Sequence, residues 1–353
     1  VKQPTNPNLE WEKTTTYNAG MDLSLWEGRL TATIDYYQRQ TKNAILSSAL
    51  PAYMGFTTQS QNLADLSNKG IEFSVTSQNI SRKNFQWSTN FNISRNRNTI
   101  EKLHKISEDD LARQNEIDGG RFWKTGESAT AFYLYDWGGV NPQNGQPIWI
   151  DNTGKSMETP IQKQYPNAPY THRKYMGDAM PVVFGGFGNT FVYKGFELNA
   201  FFSFSAGNKI YNGAKAALYN YMGSAFNSNN TYNLSPDMLN YWKSPGQETN
   251  IPALINSSNF SQVGFGTSYD YTLDRQNSRF LEDASFAKLR SLSLSYNFSK
   301  QQLQKMPFLS ALKIFAEGNN LLVITCYSGI DPEVSAYGSL GLNMGFDELT
   351  MPS

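Results

Sequence analysis

The stretch FQWSTNFNIS, residues 85–94, puts Phe85, Trp87, Thr89, Phe91 and Ile93 at odd positions and Gln, Ser or Asn at the even ones. A strict period of two calls for an extended strand with one apolar and one polar face, because successive strand side chains point to opposite sides. The pattern leaves the surroundings open. A water-soluble sandwich would turn the apolar row into a core, whereas an outer-membrane barrel would turn it to lipid and the Ser/Asn row to a wet lumen.

The same alternation marks eight candidate strands, at 12–25, 28–40, 68–79, 84–96, 182–194, 195–206, 284–299 and 311–325. Several exceed the usual five or six residues of a globular strand and reach the nine to eleven that cross a bilayer at a tilt. Their connections alternate in length. WEG, ISRKN, YKG and KQQLQKMPFLS are short, while segments 41–67, 97–181 and 207–283 are long and rich in Gly, Pro, Asn and Tyr. Long structureless connections are uncommon inside a compact soluble domain, but short turns at one rim and long loops at the other characterise an outer-membrane barrel.

Charge placement agrees. Asp22, Asp35, Glu72, Glu197, Lys313 and Glu317 sit in the polar phase of their strands; Lys288 and Arg290, ahead of LSLSYNF, fall in the apolar one. The polar phase also holds small neutral residues such as Ser291, Ser293, Ser295 and Asn297, where a soluble sheet would place Lys and Glu against aggregation. Charged residues are only 17% of the 353, with 39% hydrophobic and 14% aromatic, against about a quarter charged in an average soluble domain. Trp26, Phe85, Trp87, Tyr193, Phe196 and Phe298 flank the short turns as an interfacial girdle would. On this reading Phe85, Trp87, Phe91 and Ile93 face lipid.

Thirty basic and thirty acidic residues cancel, so there is no basic stripe for nucleic acid. The single Cys326 allows no internal disulfide. No run approaches 18 consecutive apolar residues, which removes a transmembrane helix but not a barrel. The chain opens VKQPTNPNLEWE, without an initiating Met or a signal peptide, and reads as a piece of a longer precursor.

Four blocks carry a resemblance: NPNLEWEKTTTYNAGMDLSLWEGRLTATIDYYQRQTKNAIL, NKGIEFSVTSQ, DASFAKLRSLSLSYNFS and EGNNLLVITCYSGIDPEV. In this order they resemble the C-terminal barrel portion of the SusC/RagA family of TonB-dependent outer-membrane transporters. The resemblance implies an all-β, antiparallel transmembrane barrel of about 22 strands around a plug, located in the bacterial outer membrane. It implies a SusD-like lipoprotein lid, opening by the TonB complex, and an oligosaccharide or oligopeptide as cargo, with outer-membrane lipid around the wall. Residues 1–353 would then be the C-terminal fragment of one barrel domain, lacking the plug, the early strands and the final strand. The runner-up is a soluble or surface-attached β-rich binding protein, an adhesin or carbohydrate-binding module.

Motifs for chemistry are sparse. His104 and His172 are the only histidines, and there is no H-E-x-x-H, G-x-S-x-G or Walker A pattern. GGFGNTF (185–191) and VGFGTSY (263–269) lack the third glycine of a nucleotide loop and read as strand or loop glycines. No enzyme and no cofactor are expected. VNPQNGQPIWIDNTGKSMET, 140–159, has turn signals at Asn144-Gly145 and Asn152 to Gly154 around QPIWI and reads as a hairpin inside a long loop. The loop aromatics Trp137, Trp149, Tyr165, Tyr170, Tyr211, Tyr221 and Trp242 form a group of candidate cargo contacts, since flat amphipathic rings offer much area at little entropic cost. They tilt the expectation slightly toward glycan.

Overall fold

The structure, a computed structural model, describes residues 4–49, 55–56, 58–104, 121, 123–157, 173–219, 233–254, 277–304, 306, 308–335 and 344–348. All eight alternating segments are strands: β1 (Lys13–Leu25), β2 (Leu30–Ala49), β3 (Thr58–Arg82), β4 (Phe85–Leu103), β5 (Val183–Tyr193), β6 (Phe196–Ala206), β7 (Phe286–Asn297) and β8 (Lys313–Thr325). They make one sheet in chain order, each antiparallel to the next. Every neighbour in space is a neighbour in this series, so the wall is a simple meander whose edges are β1 and β8.

The short connections share one rim. Leu25 pairs with Leu30, Arg82 with Phe85 and Tyr193 with Phe196. Lys194 and Gly195 have φ of 47° and 93°; positive φ at both central residues gives the turn a twist that matches the flanking strands. The β3–β4 turn is tighter than the expected ISRKN, because β3 continues through a bulge at Asn79 and leaves only Lys83 and Asn84 to reverse the chain. Between β7 and β8 a short helix, Lys300–Leu303, starts from Ser299 in a capping box closed by Gln302.

Strands β2, β3 and β4 outrun their expected ends at 40, 68 and 96. Beyond those points the apolar alternation stops, but the backbone ladder continues, with Ala49 opposite Thr58 and Ala64 opposite Leu103. Side-chain periodicity registers where a strand meets an apolar medium; it is silent where a strand runs on through water.

Register gathers most of the apolar residues of all eight strands on one face. One row reads Met21, Ile34, Phe73 and Ile93 across β1 to β4. Another reads Trp87, Phe191, Leu198, Leu294 and Ala316 across β4 to β8. Many large side chains of this face are open, among them Met21, Ile71, Phe187, Ile314 and Leu294, which is 50% exposed. The apolar run on β1 spans Tyr17 to Leu25 and that on β6 Phe196 to Phe204, each nine residues, the length that crosses a hydrocarbon core at a strand tilt. A face this broad and apolar, left open to the surroundings, belongs to lipid rather than water. At the short-turn rim, Phe196 lies 4.6 Å from Tyr296, Tyr296 lies 4.9 Å from Phe298, and Lys194 sits 5.2 Å over Tyr193, the rings of an interfacial girdle.

The apparent misplacement of Lys288 and Arg290 has a physical explanation. Registers shift between Leu289 and Ser291 against β8, and between Phe201 and Phe202 against β7. The extra residue inverts the phase, so Leu289 and Ala287 join the apolar face and Lys288 turns to the polar one. A short polar row does remain on the apolar face: Ser77 lies opposite Thr89 on one side, and on the other lies Asn189. Its side-chain oxygen accepts from the Trp87 indole at 2.9 Å and from the Thr89 hydroxyl at 2.8 Å, so this oxygen is satisfied within the sheet.

Leu294 and Ser293 are sequence neighbours on opposite faces, and Ser293 lies across from Glu317. In the full-length protein, Leu294→Arg is expected to cost roughly 2 kcal/mol for a cation placed on the lipid face and to lower the yield of heat-modifiable barrel in outer membranes. Ser293→Arg is expected to assemble normally. Equal assembly of both variants would contradict lipid exposure.

Candidate functional site

The second face of the wall is hydrophilic over most of its extent. Thr33 donates to Asp22 at 2.7 Å, Thr76 to Asn90 at 2.9 Å, and Thr190 to Asn199 at 2.7 Å. Asn199 in turn donates to Glu197 at 2.9 Å, which faces Lys313 at 3.8 Å. The Tyr37 ring lies across the backbone of Gly70, where a Cβ would come within 2.4 Å of it, and its hydroxyl donates to Asn96 at 3.2 Å. This face is not the uniform Ser/Asn surface expected from the sequence. Phe184, Phe201 and Phe315 also project from it, and Gly186 has no side chain where its Cβ would sit 2.9 Å from Phe201.

At the rim opposite the short turns, three connections meet. Phe132, Leu134 and Ala179 come from the β4–β5 segment, Tyr211 and Phe280 from β6–β7, and Phe346 from beyond β8; together they form one buried cluster. Arg121 is held between the rings of Phe132 (5.1 Å) and Phe346 (5.2 Å) and donates to the Met344 carbonyl. Burial lowers its pKa to about 10, with Asp178 opposing the shift, so it stays a cation at neutral pH. A small sheet completes the joint: Lys209–Asn212 pairs antiparallel with Leu281–Asp283 and parallel with Phe346–Asp347.

Two polar clasps fasten the segment after β8 to this joint. Glu282 accepts from the Ser328 backbone at 2.8 Å, the Ser328 hydroxyl at 2.7 Å and Lys215 at 3.0 Å. Burial pushes its carboxyl up, but the Ser328 and Lys215 donors outweigh that and hold it below the usual range. Tyr327, raised well above the ordinary phenol value by burial and by Asp347, donates to Asp347 at 2.6 Å. Further down, Lys288, 3% exposed, meets Asp331 at 2.6 Å and also Glu333, while Arg290 reaches Glu333 and Ser203. The bulge in β7 is what presents both cations to GIDPEV.

The candidate aromatics divide. Trp149 and Tyr211 are each 3% exposed and spend their rings on packing, Trp149 against Tyr135 and Trp137, Tyr211 against Phe280 and Phe346. Trp137 donates to Asn250 at 2.9 Å and lies under the Arg279 guanidinium. Trp242 donates to the Pro142 carbonyl at 2.9 Å and covers Gly145, where a Cβ would come within 2.4 Å of the ring. Tyr165, Tyr170 and Tyr221 lie outside the described residues, as do His172 and VGFGTSY. The expected hairpin is present as a three-stranded meander, Asp136–Val140, Pro147–Ile150 and Ser156–Met157, turning at Gly145 and Gly154 with φ of 73° and 86°. Asp151 accepts from Thr153 and Lys155 and closes the second turn. GGFGNTF lies within β5 as strand glycines.

Beside the buried cluster is a cleft of about 350 Å³ lined by Lys215, Tyr219, Asp237, Asn240, Asn250 and Arg279, among others. Tyr219 donates to Asp237, and Arg279 stacks 5.7 Å over Tyr219 as well as over Trp137 at 4.9 Å. These residues carry no motif in the sequence; they come from three separated stretches that only the loop fold brings together.

The sheet, its lipid-type face and the loop cluster can be set beside known proteins. Residues 2–172 match the family model described as TonB dependent receptor-like, beta-barrel. "TonB-dependent receptor P3" of Formosa agariphila is 32% identical over 94% of the chain, and "TonB-dependent receptor SusC" of Bacteroides thetaiotaomicron is 31% identical over 94%. The RagAB peptide transporter structure superposes with a TM-score of 0.76 at 25% identity over 94% of the chain. The chain belongs to the β-barrel of TonB-dependent receptors. It spans about a third of those relatives, 31% of the first, 30% of the second and 34% of the RagAB chain. As part of a TonB-dependent receptor barrel, β1–β8 lie in the bacterial outer membrane, with the short turns toward the periplasm and the long connections at the cell surface.

The clasp at Glu282 makes a pH prediction. Its carboxyl is lowered on folding, so its contribution is fully present above the unfolded value and is lost as pH falls through the folded one. Protease nicking between residues 326 and 348 of the assembled receptor is expected to rise below about pH 4. Glu282→Gln should raise nicking at pH 7 and flatten that dependence. A wild-type profile that does not change on acidification would contradict the clasp. Lys288→Met, which removes the cation from Asp331 and leaves Glu333 only Arg290, is expected to increase nicking in the same segment at neutral pH; unchanged sensitivity would mean that the ion pair does not hold GIDPEV.

Proposed function

We propose that this chain supplies wall and surface loops to a TonB-dependent importer of the SusC/RagA type, which takes up an oligomeric nutrient through the outer membrane. The observation that carries the reading is the eight-strand sheet with one lipid-type face and one hydrophilic face, closed at the surface rim by interlocked loops. In hydrocarbon, an open sheet edge leaves backbone groups unpaired at several kcal/mol each. Strands β1 and β8 would therefore pair with further strands of a larger cylinder, of which residues 1–353 form the C-terminal part. A plug outside this chain would couple to the TonB complex, and a SusD-like lipoprotein would cap the loops.

For cargo, we favour an oligopeptide over an oligosaccharide. The aromatic rings that tilted the sequence reading toward glycan are engaged, where described, in packing or in hydrogen bonds to neighbouring loops. The cleft instead combines Lys215 and Arg279 with Asp237 and two amides, groups that pair with the termini, charged side chains and backbone of a peptide. The similarity to the RagAB peptide transporter points the same way. Trp137 and Trp242 remain the described candidates with part of a ring open beside these loops.

The test is mass spectrometry of the full-length protein extracted from its own membranes in mild detergent, identifying every co-purifying polypeptide and retained small molecule. A stoichiometric lipoprotein with bound peptides is expected. Retained glycan in place of peptide would overturn the cargo assignment, and recovery from the soluble fraction would overturn the importer. In a peptide-binding assay, Arg279→Met is expected to weaken binding by roughly tenfold, the worth of one charge-assisted hydrogen bond; unchanged affinity would remove the cleft from the binding site.

A further inference from the structure

Immediately beyond the apolar band, on the surface side, the lipid-facing side of β1–β4 changes character. The alternation that points Tyr17, Tyr36, Ile71 and Ile93 outward continues through Lys13 and Thr15 on β1 and through Gln38, Gln40 and Lys42 on β2. On β3 it continues through Lys69 and Ser67, and on β4 through Arg95, Arg97 and Thr99. Five of these outward residues are cations and none is Asp or Glu. Register sets Lys69 directly across from Arg97, with Gln38 on its other side, and Arg95 across from Ile71. Lys13 faces Lys42 in the same way.

Like charges directly opposite on one face repel, with Cβ atoms about 4.5–5.5 Å apart. A soluble sheet would interleave carboxylates, yet among the described residues none of these five cations forms an ion pair. The β3 carboxylate nearest in sequence, Glu72, points to the hydrophilic face with Tyr37 and Asn96. Lys69, Arg95 and Arg97 are all exposed, and they stand at the level where acyl chains give way to headgroups.

We propose that Lys69, Arg95 and Arg97, with Gln38 beside them, bind the phosphate of an outer-leaflet glycolipid whose acyl chains lie on the apolar band below. Two guanidinium forks and an ammonium around one phosphate give charge-assisted hydrogen bonds in the geometry that Arg favours. The apolar face takes the chains, and the cations offset the headgroup charge that would otherwise meet bare hydrocarbon. Because β5–β8 end near the top of the band, the site within this sheet is confined to β2–β4 and would hold the lipid in one orientation beside their extension. The inference rests on the outward face being lipid-facing, not on the cargo.

The experiment uses the full-length receptor in detergent micelles, probed with bisphosphorylated lipid A and with its dephosphorylated form by native mass spectrometry. Wild-type protein is expected to bind the phosphorylated form about a hundredfold more tightly, the combined effect of three basic residues at a headgroup surface. K69Q/R95Q/R97Q should abolish that preference, while Arg39→Gln, a charge change on the opposite face, should leave it intact. Equal binding of the two lipids by wild-type protein would overturn the proposal without any variant. Loss of a co-purifying lipoprotein from the triple variant with lipid affinity unchanged would overturn it too, assigning the patch to a protein partner. Heat-modifiable mobility of each protein separates these results from failure of the barrel itself.

Discussion

The structure depends on one constraint: in hydrocarbon a backbone polar group has no partner except another backbone group. Everything in β1–β8 answers to it. Strands are long enough to cross, they pair in chain order with short turns at one rim and longer connections at the other, and the side chains on the lipid side are almost all apolar. Where a polar residue does enter that side, as Asn189 does, its oxygen is engaged by Trp87 and Thr89 on the neighbouring strand. With the medium satisfying the apolar face, these strands need no second sheet behind them. The opposite face is then free to be hydrophilic, which a soluble sandwich of the same length could not allow on the side it buries.

The loops obey ordinary aqueous rules. They build a small core around Phe132, Tyr211, Phe280 and Phe346, and they are held to the wall by charge. The bulge at Arg290 links the two regimes. Without the extra residue Lys288 would project into lipid; with it, the ammonium turns inward to Asp331 and Glu333, and the segment after β8 is tied over the wall. One inserted residue removes a charge from the bilayer and supplies the fastening for a loop.

How much of this could be read beforehand follows the same division. All eight wall strands were legible, because lipid and water on opposite faces impose the period-two pattern residue by residue. Their surface-side extensions in β2, β3 and β4 were not, since both faces there meet water and the pattern lapses while the ladder continues. The hairpin around QPIWI was legible from Asn144-Gly145 and Asn152 to Gly154, whose turns need glycine at positive φ. The roles of Trp149 and Tyr211 were not: a ring that packs and a ring that binds cargo look alike in sequence. Nor was the cleft, assembled from Lys215, Asp237 and Arg279 across three stretches.

Sequence alone determined the fold class, the positions and order of the strands, and which rim carries the loops, because those follow from local alternation and turn chemistry. Tertiary structure decided which residues of the loops are core, which charges meet, and that Lys69 and Arg97 stand side by side without a carboxylate. Those are matters of register and of contacts across long chain separations, set by the way hydrogen-bonded ladders align and loops pack, and no periodicity along one strand records them.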